Sequence, residues 1–118
     1  MITRDIVLRM KDGHLVQHYL MASYAYYIEH HRISPMTDDV FDLLCKRLLE
    51  RFDHFEHQHK HVIKKDSLAA GTGYYLKEND YPLMCRHAVI GYLEKCESGE
   101  IVNSIEPYLN PPIQQQLF

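Results

Sequence analysis

The sequence lacks several features that would assign it to a common class of protein. Its cysteines, Cys45, Cys85 and Cys96, are odd in number and form no Cys-x-x-Cys pair. This pattern argues against a disulfide scaffold or a cysteine zinc site and favours a reducing compartment. No apolar run approaches the roughly 20 residues of a membrane span, and the N-terminus has no hydrophobic signal region. We therefore expect a cytoplasmic protein with no membrane partner.

An excess of basic charge is also missing. The chain has 13 Lys and Arg against 16 Asp and Glu, so its net charge is -3. Direct nucleic-acid binding is not indicated, because no overall basic field exists to attract phosphates. There is no Gly-x-Ser-x-Gly motif, and Cys85 and His87 would point in different directions on a helix. The sequence thus assigns no catalytic residue and leaves open whether the chain is an enzyme.

What the chain does contain is apolar residues spaced by three and four along its long segments. This spacing predicts an all-α fold, a small helical domain of three main helices. The predicted helices are 4–11, 14–30, 37 to 61 or 63, and 82–97. The hydrophobic content of 46% is enough for one core. We interpret residues 1–118 as a single helical domain in which 100–118 form a short C-terminal tail.

Residues 22–44 predict a helix-turn-helix hairpin. Pro35 fixes its own φ and disfavours the α conformation at Ser34, so the first helix should end just before this turn. Thr37 can cap the next helix, and Asp38 adds negative charge where the helix dipole favours it.

A second turn is predicted at Gly71-Thr72-Gly73, after a helical turn at 66–70. One interpretation is a tight turn that needs a positive φ, and the other is a pocket of backbone amides for an anion. Residues 72–81 could also form one short extended pair.

The hairpin resembles a known family. Two adjacent tyrosines, a loop with proline, and Thr-Asp-x-x-Phe-Asp-x-Leu at residues 37–44 look like the N-terminal helical domain of NAD-dependent DNA ligases. That family has Asp-x-x-Tyr-Asp-x-Leu at the corresponding place. The resemblance implies binding of NAD or nicotinamide mononucleotide (NMN). Carried over by position, it implies that the cofactor-binding residues are Tyr26, Tyr27, Asp38, Phe41 and Asp42.

These residue types suit that ligand, although they also have a structural interpretation. Asp38 and Asp42 lie one helical turn apart, where carboxylates can accept ribose hydroxyls or face a cationic nicotinamide. Aromatic rings can stack on that cation. The alternative is a helix start with an N-terminal charge, a core aromatic at Phe41 and tyrosines that only pack.

The resemblance covers residues 22–50, and the rest of a ligase is missing. Phe41 lacks the tyrosine hydroxyl of the family pattern, and no room remains for a nucleotidyltransferase core. The chain is also similar to small ligase-like proteins of tailed bacteriophages, with Asp-x-x-x-His-x-His at 53–59 and Ala-Gly-Thr-Gly-Tyr at 70–74. If a phage encodes it, its location would be the host cytoplasm. The alternative function is an accessory protein that reuses the helical scaffold to bind a protein partner.

A histidine-rich stretch from Phe52 to His61 predicts a second site. On a continuous helix, Asp53, His57 and His61 would lie at i, i+4 and i+8 on one face. His nitrogens and a carboxylate can hold a divalent metal, which makes these three the candidate ligands. A solvated helix end is the other interpretation.

Overall fold

The structure, a computed structural model, describes residues 2–29 and 36–97, with side chains as far as Glu94. Within these residues the chain forms five α-helices, joined by short single-turn helical segments, and no β-strand. The helices are α1 (Arg4–Leu8), α2 (Asp12–Ser23), α3 (Asp38–Arg51), α4 (Lys65–Ala70) and α5 (Leu83–Glu97). The all-α prediction is confirmed. The extended pair at 72–81 is not found: this segment forms turns and a 3-10 turn at Glu78–Asp80.

Helix α2 is the central element. Its residues from Leu15 to Ser23 are all buried, and it packs against both α3 and α5. A helix covered on more than one side needs apolar or small residues around most of its circumference, which this segment has. A π-helical turn, Tyr24–Ile28, continues α2 and carries the tyrosines of the predicted site.

Helices α2 and α3 are joined at one end by a bidentate ion pair. The guanidinium of Arg51, in the last turn of α3, donates from Nε to Asp12 Oδ1 at 3.0 Å and from Nη2 to Oδ2 at 2.9 Å. Asp12 lies in the first turn of α2, which therefore begins two residues earlier than the predicted His14. The hydrogen bonds from Arg51 lower the pKa of Asp12.

Helix α3 begins within one residue of the prediction but is shorter than predicted. It ends at Arg51, and a 3-10 turn at Phe52–His54 leads into extended backbone at Phe55. Lys60 folds back onto this end: its ammonium donates to the carbonyls of Phe52 and Phe55 and lies 4.7 and 5.0 Å from the centroids of their rings. The lysine satisfies carbonyls that a longer helix would have used internally, which explains the early end.

The cap at Thr37 also differs from the prediction. Thr37 precedes α3, but its hydroxyl donates to the carboxylate of Asp39 at 2.5 Å, and it makes no capping bond to a backbone amide. The Ser34-Pro35 turn lies outside the described residues, as does the predicted tail at 100–118. No described helix is both long enough and apolar enough to cross a membrane.

Candidate functional site

A pocket of about 290 Å³ opens where the π-helical turn, the start of α3 and the end of α4 meet. Eight of the described residues line it: Ala22, Tyr26, Tyr27, Met36, Asp38, Phe41, Asp42 and Gly71. All five residues that the ligase resemblance implied are among them. The structure thus brings together side chains from two segments of chain.

Helical geometry explains how α3 contributes three of these side chains. Asp38, Phe41 and Asp42 stand at i, i+3 and i+4, so they share one face of the first turns of the helix. The two carboxylates are exposed, whereas Phe41 is half-buried. The Phe41 ring stacks on Tyr19 of α2, with the ring centroids 5.8 Å apart and the planes inclined by 17°. This contact fixes Phe41 against the core.

The opposite side of the pocket is aromatic. The rings of Tyr26 and Tyr27 meet edge to face with their centroids 4.8 Å apart. Tyr26 is 57% exposed, so most of its ring is accessible to a ligand. Tyr27 is half-buried, and its hydroxyl forms a 3.0 Å hydrogen bond with Thr72 Oγ1.

Among the described residues, the charge that lines the pocket has one sign. Asp38 and Asp42 are its charged lining residues, and no Lys, Arg or His of the described segments lines it. Two carboxylates among aromatic rings favour a cation, since each ring face carries a negative quadrupole.

Gly71 forms the third side of the pocket and ends α4 with a φ of 70°. A Cβ at this position would lie 2.6 Å from Asp42 Oδ1. The tight-turn interpretation is therefore confirmed at this glycine. The amides of Gly71 and Thr72 donate to the carbonyls of Leu68 and Ser67, as is usual at the end of a helix. These two amides are therefore already used within the helix end, which disfavours the interpretation of the loop as an anion pocket.

Thr72 connects this loop to the central helix, a role that the sequence analysis missed. Its carbonyl accepts a 2.7 Å hydrogen bond from the Tyr19 hydroxyl, and its own hydroxyl bonds that of Tyr27. Gly73 then passes so close to α2 that a Cβ would lie 2.8 Å from Ser23 Cβ. The two glycines of Gly-Thr-Gly indicated that the backbone could pack closely here, but they did not reveal that α2 is the helix it packs against.

The metal ligands predicted from the histidine-rich stretch are not brought together. The arrangement at i, i+4 and i+8 required a continuous helix, and α3 ends before Asp53. Asp53 forms an ion pair with Lys65, and His61 Nδ1 lies 3.0 Å from the carbonyl of Gln58. His57 Nδ1 accepts a hydrogen bond from the amide of His59 at 3.1 Å. Over residues 2–29 and 36–97, no three His, Cys, Asp or Glu side chains group closely enough to hold a metal ion.

Searches of protein-family models, of curated proteins and of solved structures found nothing that matches this chain. The pocket is therefore the feature from which function can be inferred.

Proposed function

We propose that this chain is a binding module for the nicotinamide end of NAD or for NMN, and that the pocket is its binding site. The observation that supports the proposal is that Tyr26, Tyr27, Asp38, Phe41 and Asp42 all line one pocket. The resemblance selected these residues from sequence alone, with no knowledge of the fold. Their convergence is expected of a ligand site and is not required by a helix start.

The charge of the pocket supports the same ligand. Oxidised nicotinamide carries a positive charge on its ring, which suits two exposed carboxylates and the accessible face of Tyr26. The ribose hydroxyls are donors, and carboxylates accept such hydrogen bonds strongly. The nicotinamide ring would lie among the aromatic side chains and face Asp38 and Asp42, and the ribose hydroxyls would donate to the same carboxylates.

The size of the pocket favours a small ligand. At about 290 Å³, it is at the lower end of the range usual for ligand pockets, about 300–1,000 Å³. This volume suits a nucleoside-sized group, so the remainder of a dinucleotide would extend beyond it. A complete ligation reaction is not part of the proposal, because the resemblance covers only residues 22–50.

Calorimetric titration with NMN and then NAD tests the proposal. We expect saturable binding to the wild-type protein and, for Asp42→Asn, an affinity lower by about tenfold or more, since a hydrogen bond to a charged group contributes about 1.5–3 kcal/mol. Asp39→Asn is the matched control: this carboxylate is on the same helix, in its first turn, but it bonds Thr37 and does not line the pocket. Absence of binding with both nucleotides, or equal losses in the two variants, would disprove the site.

A second candidate function is favoured by the exposed rings of Tyr26 and Tyr74, which are 57% and 79% accessible. Tyrosine is enriched in protein interfaces, so an accessory protein could use this surface to bind a protein partner. In that case neither nucleotide should protect the protein against thermal unfolding.

We place the proposed function in the cytoplasm, and in that of a bacterial host if a phage encodes the chain. Cys45 and Cys85, the cysteines with described side chains, are both buried free thiols. Burial raises the pKa of each thiol to about 12, so both are protonated and unreactive. Such cysteines are usual in a reducing compartment.

A further inference from the structure

Tyr74 places an accessible aromatic ring beside the pocket. Its side chain is 79% exposed. The centroid of its ring lies 5.9 Å from that of Tyr27, with the planes inclined by 78°. Tyr27 lines the pocket, so the ring of Tyr74 continues the aromatic side outward from it. Exposure of a ring this large to water is unfavourable, so a group that covers it would be favoured.

The backbone that carries this ring is held in place. The amide of Tyr74 donates to Thr72 Oγ1 at 3.1 Å, and the same oxygen bonds the hydroxyl of Tyr27. The preceding residue, Gly73, packs closely on Ser23 of the central helix. One threonine therefore links the tyrosine inside the pocket to the tyrosine outside it. A ring attached in this way is pre-organised to bind.

We infer that Tyr74 is a stacking platform for the second base of a dinucleotide whose nicotinamide end occupies the pocket. The inference rests on the proposed function and extends it, because it makes NAD the preferred ligand over NMN. The purine has a flat π-face like every nucleobase, and base stacking on an aromatic side chain needs no further polar contact.

The charge of the pocket directs the rest of a dinucleotide toward such a platform. Asp38 and Asp42 repel phosphate, so the phosphate of a bound nucleotide should point out of the pocket. The pyrophosphate of NAD would therefore cross the edge of the pocket, and the adenine would lie outside it. Among described residues, Tyr74 is the most exposed large hydrophobic side chain, and its ring contacts Tyr27, which lines the pocket.

The test compares NMN and NAD affinities by calorimetry in the wild-type protein, Tyr74→Ser and Tyr74→Phe. Stacking of a base on an aromatic ring contributes about 1–3 kcal/mol, and the lower end corresponds to about five-fold in affinity. We expect wild type to bind NAD about five-fold or more tightly than NMN. Tyr74→Ser should remove this preference and leave the NMN affinity unchanged, whereas Tyr74→Phe should keep it, because stacking needs the ring and not the hydroxyl.

The outcomes separate this inference from the proposed function. If NMN binds and the preference for NAD is absent, or survives in Tyr74→Ser, the platform is disproved and the pocket stands. If neither nucleotide binds, both fail together. A loss of NMN affinity in Tyr74→Ser would also overturn the inference, since Tyr74 would then be shaping the pocket and not binding a base.

Discussion

The carboxylate of Asp42 lies directly against the backbone of Gly71, closely enough that a Cβ on the glycine would come within 2.6 Å of Asp42 Oδ1. The glycine also has a left-handed backbone, with φ at 70°. Two separate requirements therefore select glycine here: the end of α4 and the space for a carboxylate of the pocket. Stability and the geometry of the site depend on the same residue.

Gly71→Ala should consequently reduce both stability and nucleotide binding. A left-handed φ is unfavourable for alanine, and the added methyl must displace Asp42 or the loop. We expect the free energy of unfolding to fall by about 1–2 kcal/mol, together with a measurable loss of NMN affinity. Urea denaturation and calorimetry provide the two readouts.

Gly91→Ala is the matched control for that substitution. Gly91 lies inside α5, and a Cβ there would have no atom within 4 Å. Alanine is a better helix former than glycine, so this variant should be more stable by about 0.5–1 kcal/mol and bind NMN as wild type does. A gain in stability for Gly71→Ala, or similar effects at both sites, would contradict the role given to Gly71.

Lys60 should contribute to stability through the end of α3. Lys60→Met removes the hydrogen bonds to the carbonyls of Phe52 and Phe55 and the cation above their rings, while it keeps most of the apolar length. We expect a loss of about 1–2 kcal/mol in urea denaturation. Lys46→Met, at an exposed position of α3, should change stability far less. If the two variants are equally stable, the lysine does not stabilise this helix end.

Local patterns predicted much of the fold. The spacing of apolar residues indicated all three long helices, and Pro82 and Thr37 marked the starts of α5 and α3 to within a residue. The five residues of the candidate site also came from sequence, because three of them share one helix face and two are adjacent. The apolar spacing could not show where a tertiary contact ends a helix that the spacing alone would continue. The apolar spacing of α3 continues beyond Arg51, but Lys60, nine residues later, bonds the carbonyls at its end.

The sequence could not predict the contacts of Gly71, Thr72 and Gly73 either, because these contacts are also tertiary. Their partners, Asp42, Tyr19, Tyr27 and Ser23, lie far away along the chain, and only the folded structure brings them together. The spacing behind the metal prediction breaks down at the same place, since it extends helical geometry through residues that are not in a continuous helix.

Buried His18 should make the protein less stable in mild acid. Burial within the central helix lowers the pKa of this imidazole from 6.5 to about 3, with a smaller contribution from His14. As pH falls below about 6.5, the unfolded chain binds a proton that the folded chain does not, so stability decreases until the pH approaches 3. The slope for one such group is about 1.4 kcal/mol per pH unit.

The measurement is urea denaturation of wild type and His18→Leu at pH 6 and pH 5. Wild type should lose about 1.2 kcal/mol more than the variant over this interval, slightly less than the full slope because the unfolded imidazole is not yet fully protonated at pH 6. Some acid sensitivity should remain in the variant, because burial also lowers the pKa of His57 and His59. His87→Gln, at an exposed position, should behave as wild type does. Equal slopes for wild type and His18→Leu would show that His18 is not the sensitive group.

The charge of the pocket predicts that the protein distinguishes the oxidised from the reduced form of its ligand. NAD and NADH share the adenine, the pyrophosphate and both riboses, but the dihydronicotinamide ring of NADH is neutral. The reduced ring loses the attraction to Asp38 and Asp42 and the cation–π contact with Tyr26, so NADH should bind at least about tenfold more weakly. Stacking on Tyr74 would be the same for both and cannot produce the difference. Titration of each at low and high salt provides the check: the preference should narrow as salt screens the exposed carboxylates. Equal affinities at low salt would mean that the carboxylates do not face the nicotinamide ring.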